Sequence, residues 1–159
     1  MIKKLLGILV LGLLLSGCAG GNPLASKYKP KGYSGGYYEQ QIAKNRYKVA
    51  YRGNGYTGIA TVQNRAMLRA AEFTVEKGKD LFSIILDEEM LTEPSGYGTQ
   101  DKFTTTLEIK MFSFTDYIDE TNLTKEQYKQ KIEDRNNKLG DTNLYIAEDT
   151  LKYLDKYRY

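Results

Sequence analysis

Between Arg46 and Glu76 the apolar residues change period from two to 3.6, and this switch restricts the fold more than any figure of composition. In Arg46–Arg52, Tyr47, Val49 and Tyr51 point one way and Arg46, Lys48 and Arg52 the other, which predicts a half-buried strand with a basic outer face. Over residues 59–77, Ile59, Val62, Ala66, Ala70 and Phe73 share one stripe of a helix, widened by Met67, Ala71 and Val75. Arg65, Arg69, Glu72 and Glu76 gather on another face, where a solvated or salt-bridged surface is expected. Thr57 is placed to cap the start of this helix, and Gly78 to end it in a left-handed conformation.

The flanking segments supply the rest of a sheet. Residues 36–42 pair with the basic strand across Ala43-Lys44-Asn45. Leu81–Leu86 is nearly all apolar and suits a central strand covered on both faces. Pro94-Ser95-Gly96-Tyr97-Gly98 is turn chemistry. Phe103–Phe114 alternates again, with Phe103, Thr105, Leu107, Ile109 and Met111 on one side. Thr124-Lys125-Glu126-Gln127 offers a capping box to a polar helix running to about Leu139. Its apolar edge is only Tyr128, Ile132 and Leu139, which predicts loose packing. A last helix from about Asn143 carries Leu144, Ala147, Leu151 and Leu154 on one side. The expected fold is α+β: a small antiparallel sheet in ββαββ order packed by one main helix, with helical C-terminal additions. With 159 residues, 41% hydrophobic and 27% charged, the chain has the material for one globular core.

The N-terminus is a different material. Met1-Ile2-Lys3-Lys4 is a basic head, and Leu5–Leu15 is an apolar run interrupted only by Gly7 and Gly12. A bilayer-spanning helix needs about 20 residues, so this shorter run reads as an export signal. Leu15-Ser16-Gly17-Cys18 resembles a bacterial lipobox. That resemblance implies diacylglyceryl attachment to the Cys18 thiol, cleavage before it, and acylation of the new amine. Cys18 is the one cysteine of the chain, and lipidation accounts for an unpaired thiol in an exported protein; the alternative is an ordinary signal followed by an incidental cysteine. Three acyl chains, at roughly 0.8 kcal/mol per buried methylene, imply a lasting membrane anchor. The expected organisation is a signal peptide over 1–17, a lipidated flexible tether over 18–36 rich in Gly, Pro, Ser and Lys, and a single α+β domain over 37–159. In a Gram-negative envelope, Ala19 rather than Asp implies by the same resemblance the outer membrane, with the domain in the periplasm; in a Gram-positive one the same anchor implies the outside of the cytoplasmic membrane. Removal of 1–17 takes away Lys3 and Lys4 and lowers the formal charge from +3 to +1. Such a balance gives no reason to expect nucleic acid as a partner.

Gly53-Asn54-Gly55-Tyr56-Thr57-Gly58 matches the dinucleotide-binding string G-x-G-x-x-G between a strand and a helix. The preceding strand, however, is basic on one face, whereas a dinucleotide-binding strand is buried on both. The glycines read more simply as the turn from strand to helix. A weaker version survives, in which free amides at the helix start, with Arg52 beside them, hold an anionic group. With no histidine and the cysteine committed, neither a Ser-His-Asp nor a Cys-His arrangement is available. The acidic groups Asp87-Glu88-Glu89 and Asp116, Asp119, Glu120 lack calcium-loop grammar. The expectation is therefore no cofactor, no metal and no enzymatic activity. Tyrosine is abundant, at 14 residues; strand preference and a partner surface both account for that.

Arg46–Gly55, followed by Leu68-Arg69-Ala70-Ala71-Glu72-Phe73-Thr74, Gly78 and Phe82, resembles a family of small uncharacterised bacterial lipoproteins. The resemblance covers roughly residues 33–86. Lys79 stands where that family usually has an aromatic, and 116–140 looks like an insertion. It implies an envelope lipoprotein and no mechanism. The expected role is a non-catalytic binding or accessory component of an envelope assembly, the alternative a peptidoglycan- or small-anion-binding lipoprotein, and the third reading an enzyme of unknown type. The candidate ligand or partner surface comprises Arg52, Gly53, Asn54, Gly55, Arg69 and Glu72.

Overall fold

The computed structural model describes residues 22–94, 101–140 and 143–159, the side chains at 87–89 and 139 excepted. The expected signal segment, Cys18, Ala19 and most of the expected 94–98 turn lie outside these residues. Among the described residues five strands form one sheet in the order β1-β2-β4-β3-β5, every neighbouring pair antiparallel. They are β1 (Gly36–Ala43), β2 (Arg46–Arg52), β3 (Leu81–Glu93), β4 (Lys102–Phe112) and β5 (Leu144–Ile146). The chain is α+β, as its periodicities require.

Alternation in β2 directs Tyr47, Val49 and Tyr51 to one face, where β4 contributes Leu107, Ile109 and Met111, and β3 contributes Phe82. The main helix α1 (Ile59–Glu76) lies on this face through Val62, Ala66, Ala70 and Ala71, all fully buried. Three alanines in that stripe let the helix approach the sheet closely. Phe73 fills the gap beyond them, edge-on to Tyr47 at 5.0 Å between ring centres. Gly78 ends the helix with φ 67°, and Asn45 turns the β1–β2 hairpin with φ 56°. Both turns were expected.

Three expectations need correction. The last helix does not begin at Asn143: Leu144–Ile146 first pair as β5 with Leu81–Ser83, and the helix α4 starts at Ala147 and ends at Leu154. The start of β3 otherwise presents an unpaired edge, and the short strand satisfies it. The polar helix α3 (Lys125–Leu139), capped at Thr124 as anticipated, is not loosely packed. Tyr128 and Ile132 are buried with Leu81, Phe114, Ile118 and Leu144 in a second core on the other face of the sheet. A one-turn helix, α2 (Phe114–Tyr117), supplies the missing apolar partner: the Phe114 and Tyr128 rings stack at 5.3 Å. The third correction concerns the segment expected as a flexible tether up to residue 36. From Leu24 onward it is tied to the domain, with the carbonyl of Leu24 held by Asn54 Nδ2 at 2.8 Å and Ser26 only 3% exposed. Residues 22–35 form a strap across the N-terminal end of α1, held by hydrogen bonds to Asn54, Thr57, Tyr51 and Arg65. No described helix is long and apolar enough to cross a membrane.

Candidate binding cleft

The strap, α1 and a C-terminal 3-10 turn (Asp155–Tyr157) enclose a cleft of about 1150 Å³. Its strap wall hangs on the Gly53–Gly58 turn. Ser26 donates its backbone N–H to Thr57 Oγ1 at 2.9 Å and to Asn54 Oδ1 at 3.2 Å. The Ser26 hydroxyl lies 2.9 Å from that of Thr57 and 3.0 Å from that of Tyr51. Asn54 Oδ1 accepts in addition from Thr57 Oγ1 at 2.9 Å and from the Tyr56 N–H at 3.1 Å. Thr57 therefore does not cap α1; Gly58 occupies the cap position, and the Thr57 hydroxyl holds the strap instead.

This arrangement settles the role of the glycine string. The N–H of Gly53 goes to the carbonyl of Phe103 at 2.9 Å, and a Cβ there would meet Val62 Cγ2 at 2.8 Å and Thr57 Cβ at 2.9 Å. Gly53 is a close-packing residue between strand end and helix. Gly55 is buried in the same turn. Arg52 does not stand beside the helix start: its side chain leaves β2 on the face opposite Tyr51 and pairs with Glu93 of β3. A reading in which Arg52 and the turn amides share an anion is therefore corrected. The Asn54 and Thr57 side chains of the turn hold Leu24–Ser26.

Arg69 and Glu72 come together deeper in the cleft, as a hub rather than a surface pair. Arg69 is 8% exposed. Its guanidinium is bidentate to Glu76 at 2.7 and 2.9 Å, lies 3.3 Å from Glu72, bonds Glu39 of β1, and sits 4.5 Å from the centre of the Tyr37 ring. Burial opposes this charge, but the Glu76 and Glu39 carboxylates outweigh it and raise the Arg69 pKa. Glu72 in turn accepts from Arg158 and from the Tyr28 hydroxyl. Burial first, then the hydrogen bond to Glu72, pushes the Tyr28 phenol well above its ordinary value of 10.0. Hydrogen bonds from Arg158 to Asp155 and Glu72 raise the Arg158 pKa as well. Of the two expectations for this helix face, solvated or salt-bridged, the salt-bridged one holds for Arg69, Glu72 and Glu76, and the strap and C-terminal turn cover it.

Arg65, one helical turn before Arg69, is bound differently. It is 6% exposed, yet its partners are neutral: Nε donates to the carbonyl of Tyr157 at 2.8 Å, and Nη1 to the Tyr51 hydroxyl at 2.8 Å and to the carbonyl of Ser26. The sequence displays Arg65 on the charged stripe but carries no sign of these partners, which lie up to 92 residues away in the chain. Asp116, from one acidic group, accepts from the Ser113 N–H and from Lys79, and Glu120 pairs with Lys131, so both serve structural contacts. Compared with known protein families, curated proteins and solved structures, the chain matches none of them. Fold and cleft together define an antiparallel α+β domain with a strap-bounded, arginine-rich groove.

Proposed function

We propose that the chain is a lipid-anchored protein of the bacterial cell envelope, held at Cys18 on the periplasmic face of the outer membrane, and that it works by binding rather than catalysis as an accessory part of an envelope assembly. What supports this reading is the position of the cleft relative to the lipobox. Asn22 lines the cleft and follows Cys18 by four residues, and Leu24, the first residue tied to the turn, follows by six. Six fully extended residues reach about 20 Å at most, so an anchor at Cys18 would keep the cleft close to the lipid surface. The resemblance to small envelope lipoproteins points the same way. A Cys18→Ala chain tests the anchor: it should leave the outer-membrane fraction, and the mature wild-type protein should show a mass increase of three acyl chains. Retention of an unacylated chain in that membrane refutes it. Affinity capture with the anchored protein should then return a stoichiometric envelope partner.

A second reading, a peptidoglycan- or small-anion-binding lipoprotein, is favoured by the lining of the cleft. Lys27, Arg65, Arg69, Lys156 and Arg158 face it against the carboxylates of Glu72 and Glu76, among several tyrosines. Sedimentation with purified cell wall separates the two.

A further inference from the structure

The geometry points to Arg65 as the centre of an anion site that takes a phosphate group. This rests on the anion-binding reading of the cleft and goes further by naming the residues and the ligand chemistry. Arg65 is a buried cation without a counter-charge: among the described residues it makes no ion pair. Its neighbour Arg69, one turn along the same helix, has three carboxylates. A buried charge is ordinarily paired. Three oxygens satisfy Nε and Nη1, all neutral. Nη2 makes no hydrogen bond among the described residues, and it is not one of the buried side-chain atoms left without a partner, so it meets solvent in the cleft that Arg65 lines.

Two lysines of the cleft lining adjoin the residues that Arg65 holds. Arg65 grips the carbonyls of Ser26 and Tyr157, and the adjacent residues are Lys27 and Lys156, which both line the cleft. Lys27 and Lys156 are exposed and make no ion pair among the described residues; Lys156 rests its ammonium over the Tyr153 and Tyr157 rings at 4.8 and 5.3 Å. The two free N–H groups of Nη2 on a guanidinium held in place, with two exposed ammonium groups lining the same cleft, match the several acceptor oxygens and multiple charge of a phosphate better than a single carboxylate. The backbone contacts of Nε and Nη1 fix the fork before any ligand arrives, which lowers the entropy cost of binding. Two sources carry this group: the headgroup of an anionic phospholipid and a soluble phosphate.

The test uses the purified protein in a neutral detergent, titrated with inorganic phosphate, with acetate, with chloride at matched ionic strength, and with dihexanoyl phosphatidylglycerol, following 31P resonances and the thermal midpoint. Phosphate should bind saturably and raise the midpoint where chloride and acetate do not. Arg65→Lys keeps the charge but loses the fork and should weaken binding about tenfold. Lys27→Gln with Lys156→Gln leaves every buried contact in place, so it reports on the site even if the Arg65 variant folds poorly; it should weaken binding at least about fivefold. Binding of the short-chain lipid at lower concentration than phosphate assigns the headgroup as source, and the reverse assigns a soluble phosphate. Absence of saturable phosphate binding, equal response to acetate, or binding untouched in the double lysine variant overturns the proposal. The titration runs alike on acylated and unacylated chain, so failure of the anchor and failure of the site are read separately.

Discussion

The hydroxyl of Thr57 accepts the backbone N–H of Ser26 at 2.9 Å, joining residues 31 positions apart and closing the strap onto the start of α1. Ser26 is buried, so this donor has no water to fall back on. Thr57→Val keeps the shape and removes the shorter acceptor of the Ser26 N–H and one partner of its hydroxyl, leaving Asn54 Oδ1 at 3.2 Å and the Tyr51 hydroxyl at 3.0 Å. The expected loss is about 0.5–1.5 kcal/mol, the usual net worth of a hydrogen bond. Urea denaturation measures it. Limited proteolysis should cut after Lys27 faster in the variant than in the parent, and unchanged cleavage would show that the strap is held by something else.

The two ends of the glycine string should behave oppositely. Gly53→Ala drives a methyl into Val62 and Thr57 within 2.9 Å, and a cost of about 1–3 kcal/mol is expected from such overpacking. Gly58 has open space around its Cβ position and extended φ and ψ of −65° and 152°. Gly58→Ser therefore places an ordinary capping residue there, and stability should change by about 0.5 kcal/mol or less. A nucleotide loop would tolerate neither change in a binding assay, whereas a packing turn is sensitive only at Gly53 in a thermal melt.

Removing Arg69 leaves Glu39, Glu72 and Glu76 without the cation they share. Arg69→Met should destabilise by about 3–5 kcal/mol, as when one partner of a buried ion pair is deleted. Adding Glu39→Gln and Glu76→Gln to that variant should recover part of the loss. A double-mutant cycle in urea reads the coupling, and strict additivity of the substitutions would contradict the hub.

Alkaline pH should loosen the strap. The folded pKa of Tyr28 lies above its unfolded value of 10.0, so the native state holds a proton that the unfolded chain releases. Its contribution is complete below pH 10.0 and is lost as pH climbs from there toward the raised folded value. Tyr28→Phe removes the hydroxyl and should flatten that part of the stability profile. Fluorescence-monitored unfolding between neutral and strongly alkaline pH provides the comparison.

Acid acts through Asp116. The Ser113 N–H, and then Lys79, hold its carboxyl below the ordinary 3.8. The contribution is whole above 3.8 and disappears as pH falls through the lowered folded value. NMR titration should find the Asp116 carboxyl still ionised at 3.8, and Asp116→Asn should remove that portion of the acid dependence.

Local pattern was enough to read β2, α1, β4 and the capped α3, because each announces itself within a few residues: alternation in Arg46–Arg52, a 3.6-residue stripe from Ile59, a capping box at Thr124; β1 was read only as the partner of β2 across Ala43-Lys44-Asn45. The same local reading placed Arg69 and Glu72 side by side on a helix. It misjudged their surroundings, since what covers that face is set by Glu39, Tyr28 and Arg158, which are remote in the chain. β5 escaped notice because three residues are too few to show a period, and its strand state is set by the free edge of Leu81–Ser83.

By itself the sequence determined the class of fold and the order of its main elements. Tertiary structure alone decided that residues 22–35 are a strap and not a tether, that Arg65 is buried among neutral partners, and that Arg52 faces away from the glycine turn. The reason is physical. Backbone propensity and amphipathic period act over a few residues, whereas the pairing of buried polar groups is resolved only when distant segments meet and compete for the same donors and acceptors.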